Sequence, residues 1–178
     1  MRDSAAIDLT EDEIREVVGF AARCASDVLL VFERDAPDDV RPRHAIEAAL
    51  DFAHGGARTS ALRASAWAAY RATQSVGSPA ASEAAHAASA AAGAAFLHPL
   101  AQADQVKHVL GSAAHAARAV ELDAEGATGV GEAYLEEELP EVPGTVVLLL
   151  RRYPPAPDGG GRVGELTRRL DAMVRGRA

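Results

Sequence analysis

The sequence predicts an all-α protein, a compact alanine-rich helical bundle or array of about seven or eight helices. Alanine has the highest helix propensity, and it makes up about a quarter of the chain. Apolar residues recur at a spacing of three or four in successive segments, which glycines and prolines separate. Only the segment from Thr145 to Tyr153 has the β-branched content of a strand. A single strand has no partner for its backbone, so this segment is predicted to be a buried helix.

The first helix is predicted to begin at Thr10 and to end near Asp35, before Pro37. Thr10 and Glu13 have the spacing of a capping box, in which each side chain bonds the other residue's backbone N–H. The apolar stripe of this helix contains Ile14, Val17, Val18, Ala21, Ala25, Val28 and Phe32, with Leu29, Leu30 and Val31 beside its end. The last two turns are therefore expected to be buried on most sides. Cys24 lies near the stripe and is expected to be a buried structural thiol.

A short polar motif precedes the second helix and consists of Asp38, Asp39, Arg41, Pro42 and Arg43. Pro42 suits the first turn of a helix, because the N–H that it lacks would have no partner there. Asp38 and Asp39 lie just upstream, where carboxylates accept hydrogen bonds from free N–H groups. We expect both arginines to be structural and to connect the preceding helix with this one. Their candidate partners are Asp38, Asp39 and Glu47.

The second helix is predicted from Pro42 to His54, and the third from Thr59 or Ser60 to Val76. In the third helix, Tyr70 is expected to face inward and Trp67 to lie at the edge of the inward face. The fourth helix, from Pro79 to about Leu97, consists mostly of small residues. Small side chains let neighbouring helices approach closely, so this helix is expected to be central. A flexible alanine-rich linker is the alternative.

The fifth helix is predicted from Leu100 to Glu121, with an apolar face and an opposite polar face. The polar face contains Asp104, Lys107, His108, His115 and Arg118. A short acidic helix is predicted from Val130 to Leu139, and a basic helix from Arg162 to Arg175. We expect one globular unit, in which residues 1–122 form a helical core and residues 123–178 form a C-terminal helical extension packed on it.

Composition and charge argue against several classes of protein. The net charge of −8 argues against nucleic-acid binding, which needs cations to neutralise phosphates. No apolar run has the length of a membrane span, and no secretion signal is recognised, so no membrane association is predicted. The single cysteine fits the reducing cytoplasm, where we expect the protein. The acidic charge is compatible with a basic protein partner, although solubility alone is an alternative explanation.

The sequence contains no catalytic, phosphate-binding or dinucleotide-binding motif, so neither catalysis nor a cofactor is predicted. The chain has six histidines, but none lies three or four residues from another on a predicted helix. His108 and His115 share a face but are separated by about 10.5 Å along the helix axis, which is too far for one ion. No metal is predicted. A histidine cluster assembled by tertiary packing stays open as an alternative; the protein would then be a helical-bundle metal- or small-molecule-binding protein, or an enzyme.

Two runs of residues resemble the Imm-five-like family of immunity proteins. The first run contains Arg23-Cys24-Ala25, Val31-Phe32-Glu33, Pro37-Asp38-Asp39-Val40-Arg41-Pro42-Arg43 and Ala45-Ile46-Glu47-Ala48. The second run contains Asp104-Gln105-Val106-Lys107-His108-Val109-Leu110-Gly111 and Ala113-Ala114-His115-Ala116-Ala117. The resemblance covers residues 12 to 122. It implies an all-helical protein that neutralises a bacterial toxin domain, and it brings no catalytic residues.

The function predicted from this resemblance is that of a non-catalytic cytoplasmic binding protein. Its partner would be a cognate bacterial toxin domain, encoded beside it and neutralised by occlusion. Two surfaces are candidates for the interface: the acidic stretch from Glu132 to Glu141, whose side chains are expected to be largely exposed, and the polar face of the fifth helix. The candidate partner-binding residues are Glu132, Glu136, Glu137, Glu138, Asp104, His108 and His115.

A homodimeric structural or regulatory module is a further alternative. The last predicted helix has an apolar face that contains Leu166, Leu170 and Val174. If these side chains were exposed, they could form the seam between two copies of the chain.

Overall fold

The computed structural model describes residues 5–177, where the regular structure is helical apart from one isolated bridge between Ala6 and Leu100. The α-helices of this part of the chain are α1 Glu11–Asp27, α2 Leu29–Asp35, α3 Arg41–Ala53, α4 Ser60–Ala72, α5 Pro79–Gly93, α6 Gln105–Asp123, α7 Thr128–Glu138, α8 Gly144–Leu150 and α9 Gly161–Arg175. Two 3₁₀ turns, Ala94–Phe96 and Leu139–Glu141, follow α5 and α7. The predicted all-α fold is confirmed. None of the described helices is long and apolar enough to cross a membrane.

The predicted first helix is two helices, which raises the number of described helices to nine. The capping box is confirmed, because Glu13 N–H donates to Thr10 Oγ1 and Thr10 N–H donates to Glu13 Oε2. Val28 leaves helical geometry with a ψ of 4° and separates α1 from α2. The break turns α2 so that Phe32 is fully buried while Leu30 is 70% exposed. The expectation of one continuous helix, buried on most sides at its end, is therefore wrong.

Helix α5 lies at the centre of the array, where it contacts α1, α2, α3, α4 and α6. Its buried residues are Ala80, Ala81, Ala84, Ala85, Ala87, Ala88, Ala91 and Ala92. Because each of these side chains is a single methyl group, several helices can pack around α5 at close range. The prediction of a central helix is confirmed, and the flexible linker is excluded.

Ser112 ties three of these helices together inside the core. Its hydroxyl lies 2.6 Å from the carbonyl oxygen of Ala21 on α1 and 3.0 Å from that of Ala87 on α5. The Ser112 side chain is buried, so these contacts satisfy a hydroxyl that has lost its water. The contact orients α6 on both neighbours.

The polar motif before α3 is a corner between helices. Asp39 accepts from the backbone N–H of Arg41 at 3.1 Å and from its Nε at 2.8 Å, and Arg41 also donates to Ser75 beyond the end of α4. Arg43 forms a two-point contact with Glu33 of α2, with both distances 2.8 Å. These contacts support the structural role expected for both arginines, which stays a prediction. The expected partners were incomplete, since Arg43 pairs with Glu33.

Several helix boundaries differ from the predictions, among them the end of α4 and the start of α6. Helix α4 ends at Ala72, and Thr73, Gln74 and Ser75 form turns instead of a further helical turn. Helix α6 begins at Gln105, because the backbone around Leu100 bonds to residues 5–7 near the N-terminus. This pairing keeps residues 97–104 out of the helix.

The C-terminal helices pack on α6 and α1. The segment with β-branched residues forms α8, as predicted, and its Val146, Leu149 and Leu150 are buried. Helix α9 contacts α6, where it buries Leu166, Leu170 and Val174 completely. The expectation that these three side chains form the seam of a homodimer is therefore wrong, because they belong to the core. The division of the chain at residue 122 stays a prediction.

Candidate partner-binding groove

A groove of about 690 Å³ lies between α4, α5 and α6 and is open to solvent. Helix α4 contributes Arg63, Ala66, Trp67 and Tyr70, and α5 contributes His86, Ser89, Ala90 and Gly93. The other lining residues are Phe96 and His98 after α5, and Lys107, His108 and His115 on α6. A second hollow of about 550 Å³ shares Arg63, Phe96 and His98 with it, so the two are continuous.

The floor of the groove is the small-residue face of α5. Ser89, Ala90 and Gly93 are partly exposed there, and α4 and α6 rise on either side as walls. Contacts along the helices show that both walls run antiparallel to α5. On α4, Ala66 accepts from Ser89 while Tyr70, further along, contacts His86. On α6, Gly111 lies close to Ala90 while His115, further along, contacts His86. The small side chains that place α5 at the centre of the fold therefore also recess the floor.

The α4 wall carries two large exposed aromatic side chains. Trp67 is 58% exposed and Tyr70 is 40% exposed, and their rings meet edge to face with centroids 5.9 Å apart. The expectation that Tyr70 faces the interior is wrong. Ala66 and Ala69 occupy the inward positions of α4, so Tyr70 is displaced to the groove side.

One end of the groove is closed by two stacked histidines. The rings of His86 on α5 and His115 on α6 lie 5.0 Å apart between centroids, with 18° between their planes. The Nδ1 atom of His115 is 2.6 Å from a carboxylate oxygen of Glu83, and Tyr70 contacts the His86 ring edge to face. Burial, followed by repulsion from His115, lowers the pKa of His86 below its ordinary value. His86 is therefore predominantly neutral near pH 7.

The other end of the groove is cationic. The guanidinium of Arg63 lies 4.2 Å from the centre of the Phe96 ring, which is a cation–π contact. Lys107 pairs with Asp104 on the same helix at 2.8 Å. Burial and the nearby His98 lower the pKa of His108. None of the described lining residues of the groove is a carboxylate, although the whole chain has a net charge of −8.

The predicted partner-binding residues fall on two separate surfaces. His108 and His115 line the groove, and Asp104 lies beside it through its pair with Lys107. The glutamates lie on α7, away from the groove, and three of them pair with arginines. Glu132 contacts Arg162 and Arg169, Glu136 contacts Arg169, and Glu138 contacts Arg23. Glu137 is exposed beside a smaller hollow formed with Val120, Val130 and Tyr134.

The expectation that the glutamates are largely exposed is wrong for Glu138, which is only 9% exposed. The end of α7 docks on α1, where Glu138 lies 2.5 Å from Arg23 and 3.6 Å from the sulfur of Cys24. Cys24 itself is fully buried, which confirms the expected structural thiol. Burial, together with the charge of Glu138, raises the pKa of this thiol.

The histidine cluster that stayed open as an alternative does assemble in the fold, as the groove collects His86, His98, His108 and His115. Across residues 5–177, however, no three histidine, cysteine, aspartate or glutamate side chains converge as metal ligands. A metal site needs ligands within about 2.1 Å of one ion, which a stacked ring pair does not supply.

Sequence reasoning did not assign the groove residues Arg63, His86, Phe96 and His98 to a site. A signal was present in their spacing. Arg63, Trp67 and Tyr70 recur at helical spacing, as do His86, Ser89 and Gly93, so each helix has a second stripe beside its buried one. Only the packing of the helices shows that the two stripes face one another.

The fold and the groove define the class as a helical-array protein with an open aromatic and cationic groove. Comparison with protein families then gives the narrower assignment. Residues 8–142 match the model of a family described as "Imm-5 like putative immunity protein". This match covers most of the chain, so the chain belongs to that family, and the resemblance of the two sequence runs is confirmed. A search of the curated proteins and a search of the solved structures each gave no match.

Proposed function

We propose that this chain is a non-catalytic immunity protein that acts in the cytoplasm and neutralises a cognate bacterial toxin domain by covering it. Family membership supports a protein partner of this kind. We choose the groove as the binding surface because Trp67 is exposed beside it. A large aromatic side chain held in contact with water gains free energy when a partner buries it.

The residue types of the α4 wall support this choice. Tryptophan, tyrosine and arginine are the residues most enriched among interface hot spots, and α4 presents one of each in Trp67, Tyr70 and Arg63. They lie on a helix that is held on its other side by the core, through Leu62 and Ala69. A rigid support of this kind reduces the entropy lost on binding.

The acidic stretch on α7 is a second contact surface in this proposal. Its glutamates attract a basic region of the partner, but the pairs with Arg162 and Arg169 already neutralise part of their charge. Of the four glutamates on α7, Glu137 is the one with no ion pair among the described residues. The stretch therefore contributes to the rate of association more than to the stability of the complex.

The test is co-expression with the toxin domain encoded beside the gene, in a host that the domain kills. We expect growth to be restored and an equimolar complex to be purified. Trp67→Ala should weaken the purified complex by about 30-fold or more, equivalent to about 2 kcal/mol. Its matched control is Leu148→Ala, which removes an exposed apolar side chain on α8, outside the groove. Undiminished binding by Trp67→Ala would remove the groove from the interface, and continued killing would refute the proposed function.

A second candidate function is the binding of a small molecule, and the gathering of four histidines in one groove favours it. Native mass spectrometry of freshly purified protein distinguishes the two functions. A retained compound of constant mass, lost when His86 and His115 are both replaced by glutamine, would support this second candidate over the first.

A further inference from the structure

We infer that the groove between α4, α5 and α6 receives an acidic segment of the partner, whose carboxylates pair with Arg63 and Lys107. This inference rests on the proposed function and adds the chemistry of the bound segment. It differs from the expectation drawn from overall charge, which pointed to a basic partner surface.

The charge of the lining residues is the first reason. Arg63 and Lys107 are cations, although Lys107 also pairs with the exposed Asp104 beside the groove, and the four histidines add ring N–H donors. Glu83, next to the groove, is engaged by His115. A basic segment placed here would meet like charge, whereas carboxylates would find partners.

The state of Arg63 is the second reason. Among the described residues it has no carboxylate partner, although most of the other arginines of the chain pair with one. Its guanidinium rests on the face of Phe96, which holds the group in place without using its N–H donors. A fixed, unpaired fork of donors at the edge of a groove matches the geometry of a carboxylate.

The shape of the groove is the third reason. The distance along α4 from Arg63 to Tyr70 is about 10.5 Å, and the floor from Ser89 to Gly93 extends about 6 Å along α5. The walls are aromatic, so the bound segment needs an apolar face for Trp67 as well as its carboxylates. An amphipathic helix with about two turns in the groove fits both demands.

Trp67 provides a direct reporter of binding, because it is the only tryptophan in the chain and it lies in the groove. The probe is a synthetic helical peptide of about 14 residues, with leucines on one face and glutamates beside them, titrated while Trp67 emission is recorded. We expect a saturable change of emission. The same peptide with glutamine in place of glutamate should bind about tenfold more weakly, and with lysine more weakly still.

Variants of the protein test whether Arg63 and Lys107 are the cations that bind the peptide's carboxylates. Arg63→Gln and Lys107→Gln should each reduce the affinity for the acidic peptide several-fold, and the double variant about tenfold or more, without changing the affinity for the glutamine peptide. Arg71→Gln is the matched control, because Arg71 is exposed on the same helix but outside the groove. It should leave the titration unchanged.

Three results of the titration would overturn the inference: equal affinity for the glutamate and glutamine peptides, no change of emission up to about 1 mM of the acidic peptide, or an identical saturable change with a free dicarboxylate such as glutarate. The last result would assign the groove to small anions. Toxin neutralisation is measured separately by growth. If neutralisation persists in the double variant, the inference fails while the proposed function stands. If the acidic peptide binds but the toxin is not neutralised, the proposed function fails while the chemistry assigned to the groove stands.

Discussion

His86 and His115 stack with their ring centroids 5.0 Å apart, although 28 positions separate them in the sequence. The pair joins α5 to α6 and forms one end of the groove. Burial opposes the protonation of His86, and repulsion from His115 lowers its pKa further. Folding therefore makes His86 harder to protonate, so its charge state is coupled to folding.

The first prediction concerns the effect of pH on stability. The pKa of His86 in the folded protein is lowered below 6.5, so the unfolded chain binds this proton more readily than the folded one. The free energy of unfolding should then fall as the pH drops below 6.5 towards the folded-state pKa, by up to about 1.4 kcal/mol per pH unit for this group. Urea unfolding at pH 7.5, 6.5 and 5.5 measures the slope.

The variant His86→Gln tests the origin of this slope. The groups that face His86 are Tyr70, His115 and Glu83, and Glu83 partly opposes the lowering of the pKa. With the imidazole removed, the loss of stability between pH 6.5 and 5.5 should be smaller than in the unmodified protein. Equal slopes would mean that the pair does not couple pH to folding. Carboxylates such as Glu13, with a lowered pKa, act only at more acidic pH.

The second prediction uses the floor of the groove. Gly93 has an ordinary φ of −65°, and a Cβ placed there meets no atom within 4 Å. Gly93→Leu should therefore fold normally and fill part of the groove. We expect the partner's affinity to fall by at least about tenfold, because the aromatic walls can no longer enclose its side chains.

The matched control at this position is Gly93→Ala, which adds one methyl group and leaves most of the groove open. It should raise the free energy of unfolding by about 0.5 kcal/mol, since alanine favours a helix over glycine. If both variants bind the partner as well as the original chain, the floor of α5 takes no part in the interface.

The third prediction concerns the attachment of α9. Glu121 on α6 is completely buried and contacts Arg118 at 2.9 Å and Arg162 at 2.6 Å. Arg162→Ala should lower the free energy of unfolding by about 2 kcal/mol, less than the roughly 3–5 kcal/mol of a fully broken buried pair, because Arg118 remains.

Chemical denaturation measures this loss, and Glu165→Gln is its control. Glu165 contacts the same arginine at 3.2 Å but is exposed, so its replacement should cost less than about 1 kcal/mol. Equal losses in the two variants would show that the buried carboxylate is not what holds α9.

The fourth prediction concerns the corner before α3. Arg41→Ala removes the contacts with Asp39 and Ser75, and it should lower Tm by about 2–4 °C, which corresponds to about 1 kcal/mol in a chain of this size. Partner affinity should be unchanged, because Arg41 lies outside the groove. A variant that keeps its Tm but loses the partner would reassign Arg41 to the interface.

Much of the fold follows from local signals that the sequence displays. The capping box at Thr10, the proline in the first turn of α3 and the alanines of α5 each act within one turn or one helix. The break at Val28 and the exposure of Tyr70 do not follow from local signals, because they depend on which neighbouring helix occupies the inward side. The burial of Leu166 could not be predicted from local signals either, because it depends on the packing of α9 against α6.

The groove was less predictable than the fold. His86, His98, His108 and His115 come from three separate segments, and antiparallel packing brings them together. Helical spacing showed that His108 and His115 share a face of α6, but it did not reveal that the ring of His86 stacks on that of His115. Overall charge was misleading for the groove, because a net value of −8 hides a local region with no carboxylate in its lining.

The complete burial of Cys24 makes the chain well suited to site-specific labelling. It is the only cysteine in the sequence, and its raised pKa leaves almost no reactive thiolate at neutral pH. A maleimide dye or spin label would therefore attach only where a new thiol is introduced, for example through Ala90→Cys on the groove floor. Binding in the groove could then be followed with one probe, with no need to remove the native cysteine from the core.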